Sequence, residues 1–141
     1  MFQDATLSSV RSAAGFGRTN SVWRCVRSKS PTELVPVQSA GFDWREPHTV
    51  GDVFIDHAFT DFSAARVRLT DASGSGVEMT WGPECTWVQL HTADLPDPAT
   101  SRRGLAVEPM TCPPDAFNSG TDLIRLEPGS ASSAGWIISA I

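Results

Sequence analysis

One carboxylate in this chain has a local sequence that suits acid–base chemistry. Glu108 follows the apolar run 105–107, and Pro109 comes directly after it. The run predicts a buried strand, and the proline, which cannot donate to a sheet ladder, predicts that the strand stops at Glu108. Prolines at 113 and 114 stiffen the next loop before it turns at 118–120. A carboxylate on such a frame can be aimed as a general base, and the alternative is a solvated turn residue.

Further polar residues that could bind a ligand come from a second alternating segment. Residues 86–92 predict a strand with Trp87, Gln89 and His91 on one face and aliphatic side chains on the other. Such a face, together with Trp81, suits a sugar, whose C–H faces pack on aromatic rings and whose hydroxyls bind polar groups. Core packing is the alternative for both tryptophans. His91 could also act as an acid, because imidazoles titrate near neutral pH.

The elements that must position these residues are short strands. From residue 33 onward, β-type runs are separated by Gly, Pro, Asp and Ser, and no amphipathic helical pattern lasts longer than about two turns. Residues 65–71 and 77–81 alternate around the turn 72–76, which predicts a hairpin. Other strands are predicted at 86–92, 105–108, 123–127 and 135–141. The predicted class is all-β, an antiparallel β-sandwich.

Composition excludes several classes of partner. The chain has 141 residues and 40% hydrophobic content, enough for one domain, and its net charge of −5 without a basic stripe argues against nucleic acid. Three widely spaced cysteines predict neither a disulfide framework nor a metal site and favour a reducing cytoplasm. The longest apolar run, 136–138, is too short for a bilayer, and no secretory signal opens the sequence. We expect a cytoplasmic protein without cofactor, metal or membrane.

The loop around Glu108 resembles that of the aldose 1-epimerase (galactose mutarotase) family, especially its bacterial branch, through Glu-Pro-Met-Thr-x-x-Pro-x-Ala-Phe-Asn. Residues 56–61, Asp-His-Ala-Phe-Thr-Asp, resemble the family's Asp-His-x-Phe segment, and 123–141 also match, with a Leu-Glu-Pro-Gly turn and a closing strand. The resemblance runs from about Glu33 to the C-terminus. Residues 1–30, rich in Ser and Arg, match nothing and are predicted to be a disordered leader. Residues 31–141 would be the C-terminal part of an epimerase-like domain.

The resemblance implies part of the family's large antiparallel β-sandwich, a supersandwich. It also implies interconversion of the α and β anomers of a free aldose such as glucose or galactose. Ring opening needs a base at the C1 hydroxyl and an acid at the ring oxygen. The base is assigned to Glu108 and hydroxyl binding to Asp56, and Gln89 and Trp81 join them on the argument from residue types. His57 is expected to orient its segment, and the family's acid histidine belongs to a motif that this sequence lacks.

Other outcomes stay open at this point. A non-catalytic carbohydrate-binding protein and an inactive product of a truncated gene are both compatible with half of a mutarotation site. Glu84 and Glu108 could pair as in a retaining glycosidase, although nothing in the sequence sets their separation. A partial sandwich would leave strand edges and an apolar face uncovered, which predicts self-association.

Overall fold

Two antiparallel five-stranded sheets make up the computed structural model of this chain, which describes residues 5–8, 21–25, 31–62 and 64–141. The first sheet has the strand order β10-β7-β6-β1-β4 and the second β3-β2-β5-β8-β9. The strands are β1 (Thr6–Ser8), β2 (Ser21–Cys25), β3 (Pro31–Pro36), β4 (His48–Thr49), β5 (Asp56–Thr60), β6 (Arg66–Thr70), β7 (Gly76–Trp81), β8 (Trp87–His91), β9 (Ala106–Met110) and β10 (Trp136–Ala140). Two one-turn helices accompany them, α1 (Val37–Ala40) and α2 (Ala116–Ser119). The predicted all-β, sandwich-like class is confirmed.

The core lies where the two sheets meet. Val88 and Leu90 from β8 and Phe59 from β5 join Val67 and Met79 from the first sheet in one buried cluster. Because side chains alternate along a strand, the even and odd positions of β8 must lie on opposite faces, as the sequence predicts. No helix in the described part of the chain has the length and apolarity needed to cross a membrane.

The predicted hairpin is present as β6 and β7. Its register pairs Val67 with Met79, two core residues, and Arg68 with Glu78, two residues of the opposite face. The Asp71 carboxylate closes the turn by accepting hydrogen bonds from the Ser73 amide at 2.8 Å and the Ser75 amide at 3.2 Å. Alternation and turn chemistry therefore agree on one local structure.

Two strand predictions are wrong in detail. β9 does not stop at Glu108 but continues through Pro109 to Met110, because β9 is an edge strand of the described sheet, where a missing N–H is tolerated. Residues 123–127 form no strand. The chain there follows Asp122, whose backbone is left-handed (φ 49°), and the Ile124 and Leu126 side chains are exposed. No described strand pairs with this segment.

Two described strands, β1 and β2, fall within the segment 1–30 that the sequence predicts to be a disordered leader. β1 lies between β6 and β4, and β2 lies between β3 and β5. The remaining positions of that segment, 1–4, 9–20 and 26–30, lie outside the described residues. For those positions the expectation stays a prediction.

An apolar surface is uncovered at the open end of the first sheet. All five residues of the edge strand β10 are exposed, including Trp136, Ile137 and Ile138 at 57, 66 and 63%. Trp136 and Ile138 line an apolar groove of about 540 Å³ together with Met79 and Val107. The edge and the apolar face that the sequence leads us to expect are thus present, whereas association through them stays a prediction.

Candidate functional site

Four polar residues share one face of the second sheet. The register pairs Asp56 with His91 across β5 and β8, and Gln89 with Glu108 across β8 and β9. Residues directly opposite each other in an antiparallel pair lie on the same face, and alternation places Gln89 and His91 together. Leu90, between those two, belongs to the core. We call the face opposite the core, with these four residues, the site face.

A hydrogen bond joins two members of this group and fixes the orientation of one of them. The Gln89 Nε2 donates to Asp56 Oδ1 at 2.7 Å. A carboxylate only accepts, so the amide must turn its NH₂ group to Asp56. The Gln89 Oε1 is buried and has no hydrogen-bond partner among the described residues. It is therefore an unsatisfied acceptor beside Asp56.

The imidazole of His91 lies at the rim of the same group. Its Nδ1 is 3.4 Å from the Ile55 carbonyl oxygen and 3.8 Å from Asp56 Oδ1. The side chains of His91 and Asp56 are 34% and 44% exposed, respectively. Both groups are thus accessible to a small polar ligand, and the Asp56 carboxylate keeps lone pairs for further donors.

Glu108 is the exposed member of the group, on the edge strand β9. Residues opposite each other in an antiparallel pair have Cα atoms about 4.5–5.5 Å apart, so Glu108 and Gln89 are neighbours. Among the described residues, no side chain forms a hydrogen bond or ion pair with the Glu108 carboxylate. The Glu108 carboxylate is therefore available as a proton acceptor.

A contact that sequence reasoning missed ties the following loop to this face. The indole Nε1 of Trp87 donates to Asp122 Oδ2 at 2.8 Å. Asp122 has a positive φ of 49°, a conformation that aspartate tolerates better than most residues. The segment after α2 is thereby held against β8. Only the turn-forming composition around residue 120 could have suggested that the chain reverses there.

The structure does not bring Trp81 to the site face. Trp81 belongs to β7 in the first sheet, is buried in the core and packs edge-to-face on Phe62 with ring centroids 5.4 Å apart. Core packing was the alternative interpretation of this residue. His57 does not share the site face, because it is buried and its ring packs on Phe42 at 4.4 Å, while its Nδ1 accepts a hydrogen bond from the Asp56 amide at 3.1 Å.

Other chemistry finds little support among the described residues. No group of three or more His, Cys, Asp or Glu side chains there could hold a metal ion. Burial, with a smaller effect from the Glu84 charge, raises the pKa of the Cys85 thiol. A raised thiol pKa disfavours the nucleophilic thiolate, so Cys85 is a packing residue.

Comparison with known proteins finds one matching family model and one curated relative. The sequence model described as aldose 1-epimerase matches residues 18–139. The uncharacterized protein YihR from Escherichia coli (strain K12) is 31% identical over 110 residues, which cover 78% of this chain and 34% of that protein. The chain thus spans about a third of the length of the curated relative it matches. No solved structure matches the chain at a significant level.

Proposed function

This chain belongs to the aldose 1-epimerase family, and from that premise we propose that it interconverts the α and β anomers of a free aldose. The observation that carries the proposal is the site face, on which Glu108 stands opposite Gln89 and Gln89 binds Asp56. A base and two groups suited to hydroxyl binding are thereby adjacent. A free hexose such as glucose or galactose, in the cytoplasm, is the substrate we expect.

The reaction follows from the roles of these groups. The Glu108 carboxylate takes the proton of the C1 hydroxyl while the bond between C1 and the ring oxygen breaks and the ring oxygen gains a proton. The product is the open-chain aldehyde, which rotates about the C1–C2 bond and closes on its other face, and the same proton transfers run in reverse. Asp56 and the Gln89 Oε1 accept hydrogen bonds from sugar hydroxyls and hold the ring in place.

We propose no side chain of this chain as the proton donor. The motif that carries the family's acid histidine is absent from the sequence, so water would protonate the ring oxygen. A positioned general acid typically contributes about 10²–10⁴-fold to a rate. The chain alone is therefore expected to be slower than a family member with both groups by about that factor.

Polarimetry tests this proposal. The equilibration of α-D-glucose and of α-D-galactose would be followed with the purified chain, its Glu108→Gln variant and a matched control, Glu127→Gln, at an exposed position. We expect the wild type and the control to exceed the buffer rate and Glu108→Gln to equal it. A folded wild-type chain that equilibrates sugar no faster than buffer would overturn the catalytic proposal.

A non-catalytic sugar-binding role is the second candidate. It is favoured by the Gln89 Oε1 and the Asp56 carboxylate, which present acceptors whether or not a base and an acid work together. Calorimetry separates the two candidates. Saturable binding of D-galactose without any acceleration of its equilibration would favour the binding role, and neither binding nor acceleration would indicate an inactive gene product.

A further inference from the structure

A buried arginine that takes no part in the proposed reaction links two loops at the start of β5. Arg102 is only 7% exposed, and its guanidinium donates to the Gly51 carbonyl at 2.8 Å and to the Val53 carbonyl at 2.6 Å. Its own amide donates to the Ala93 carbonyl at 2.8 Å. Arg102 thus joins the segment that enters β5 to the segment that leaves β8.

The guanidinium also acts on β5 through a carboxylate and a hydroxyl. Arg102 Nε lies 3.3 Å from Asp94 Oδ1, and the other oxygen of Asp94 accepts a short hydrogen bond from the Thr92 hydroxyl. The Thr92 Oγ1 in turn accepts the Ile55 amide at 3.1 Å, and the Thr92 amide donates to the Ile55 carbonyl at 2.9 Å. Thr92 and Ile55 are both fully buried.

These contacts end one residue before the site. Ile55 directly precedes Asp56, and the Ile55 carbonyl is also the oxygen that lies 3.4 Å from His91 Nδ1. A fixed position of the Ile55 peptide therefore also fixes the position of Asp56 relative to His91. A buried charge is costly unless it is paired, and the Arg102 guanidinium is paired with Asp94 and with two backbone carbonyls. These directional contacts hold the two loops in one geometry, which the packing of an apolar residue would not do.

We propose that Arg102, acting with Asp94 and Thr92, is a positioning residue for the site face, which it serves by holding the Ile55–Asp56 backbone in register with β8. The sugar-binding part of this inference rests on the proposed function, whereas the backbone part does not. The proposal assigns Arg102 no direct contact with the sugar. Its effect on a ligand would pass through the position of the Asp56 carboxylate, which Gln89 also holds.

The experiment uses the full chain with Arg102→Lys, Asp94→Asn and a matched control, Arg103→Lys. Arg103 is the adjacent, exposed arginine, whose guanidinium donates to the Ala99 carbonyl at 3.2 Å. Amide hydrogen exchange is measured at Ile55 and Thr92 and across β6 and β7, and calorimetry gives the affinity for D-galactose. Lysine cannot bind both carbonyls at once, so the connection is weakened. Because lysine keeps the positive charge beside Asp94, the variant should still fold.

We expect both variants at the buried pair to lower protection at Ile55 and Thr92 by about tenfold. Protection in β6 and β7 should stay unchanged, the affinity for D-galactose should fall several-fold, and Arg103→Lys should match the wild type. A uniform loss of protection would show a general structural role and overturn the inference. So would a local loss that leaves affinity unchanged. If the wild type binds no sugar, the proposed function fails, and the exchange data alone decide whether Arg102 holds Ile55.

Discussion

Replacing Gln89 by methionine should separate binding from stability. Methionine keeps the length and approximate volume of the side chain, so packing changes little. The variant loses the hydrogen bond from Gln89 Nε2 to Asp56 Oδ1, which at 2.7 Å and with a charged acceptor would be worth about 1.5–3 kcal/mol if buried. Because the Asp56 side chain is 44% exposed, solvent screening reduces that value to about 1 kcal/mol.

The same substitution removes an unfavourable group. The Gln89 Oε1 is buried without a partner among the described residues, and such an oxygen costs about 1–3 kcal/mol. The two effects oppose each other, so the free energy of unfolding should stay unchanged or rise by up to about 2 kcal/mol. Sugar binding should weaken about 2–10-fold, because one hydroxyl acceptor is lost and Asp56 is no longer held.

Urea unfolding followed by circular dichroism measures the first quantity, and calorimetry with D-galactose measures the second. Gln38→Met is the matched control, since Gln38 is exposed on α1. A loss of stability above about 2 kcal/mol in Gln89→Met would refute the reasoning, because it would mean that the Gln89 amide is fully satisfied in solution. Unchanged affinity in a folded variant would remove Gln89 from the sugar site.

Two further predictions concern the first sheet. Ile138→Lys places a charge on the exposed edge strand β10 and should lower the self-associated fraction measured by sedimentation velocity. The control Leu126→Lys, at an exposed loop position, should leave that fraction unchanged. Equal effects of the two substitutions would exclude this edge as the contact. The Arg68 guanidinium lowers the pKa of Glu78, and Arg66 adds a smaller effect in the same direction. The stabilisation by this cluster is therefore fully present above the ordinary glutamate pKa near 4.3, and it is lost as pH falls through the lower pKa of the folded state. In Glu78→Gln, the stability measured by circular dichroism should depend less on pH in that range. A dependence equal to that of the wild type would contradict the role given to Glu78.

The fold was predictable where local chemistry and pairing agree. The hairpin of β6 and β7 needs only alternation and a turn between neighbours, so its register follows from the sequence. Residues 123–127 are also rich in apolar side chains, yet a strand must pair with the free edge of a sheet. No local sequence pattern shows where that edge lies. The prediction that β9 ends at Glu108 failed for a related reason. Pro109 interrupts an inner strand but is tolerated at an edge, and edge position is a property of the whole sheet.

The shared face of residues within one strand was predictable, whereas the contacts between strands were not. Alternation puts Gln89 and His91 on one face, but the bond from Gln89 to Asp56 depends on the pairing of β5 with β8, which more than twenty residues separate. Because β9 is the edge of the described sheet, β8 is the only strand paired with it, and Gln89 stands directly opposite Glu108. Under the proposed function, the direction in which Glu108 would meet a sugar depends chiefly on Gln89. A substitution at Gln89 should accordingly alter the rate of any mutarotation as well as the affinity for the sugar.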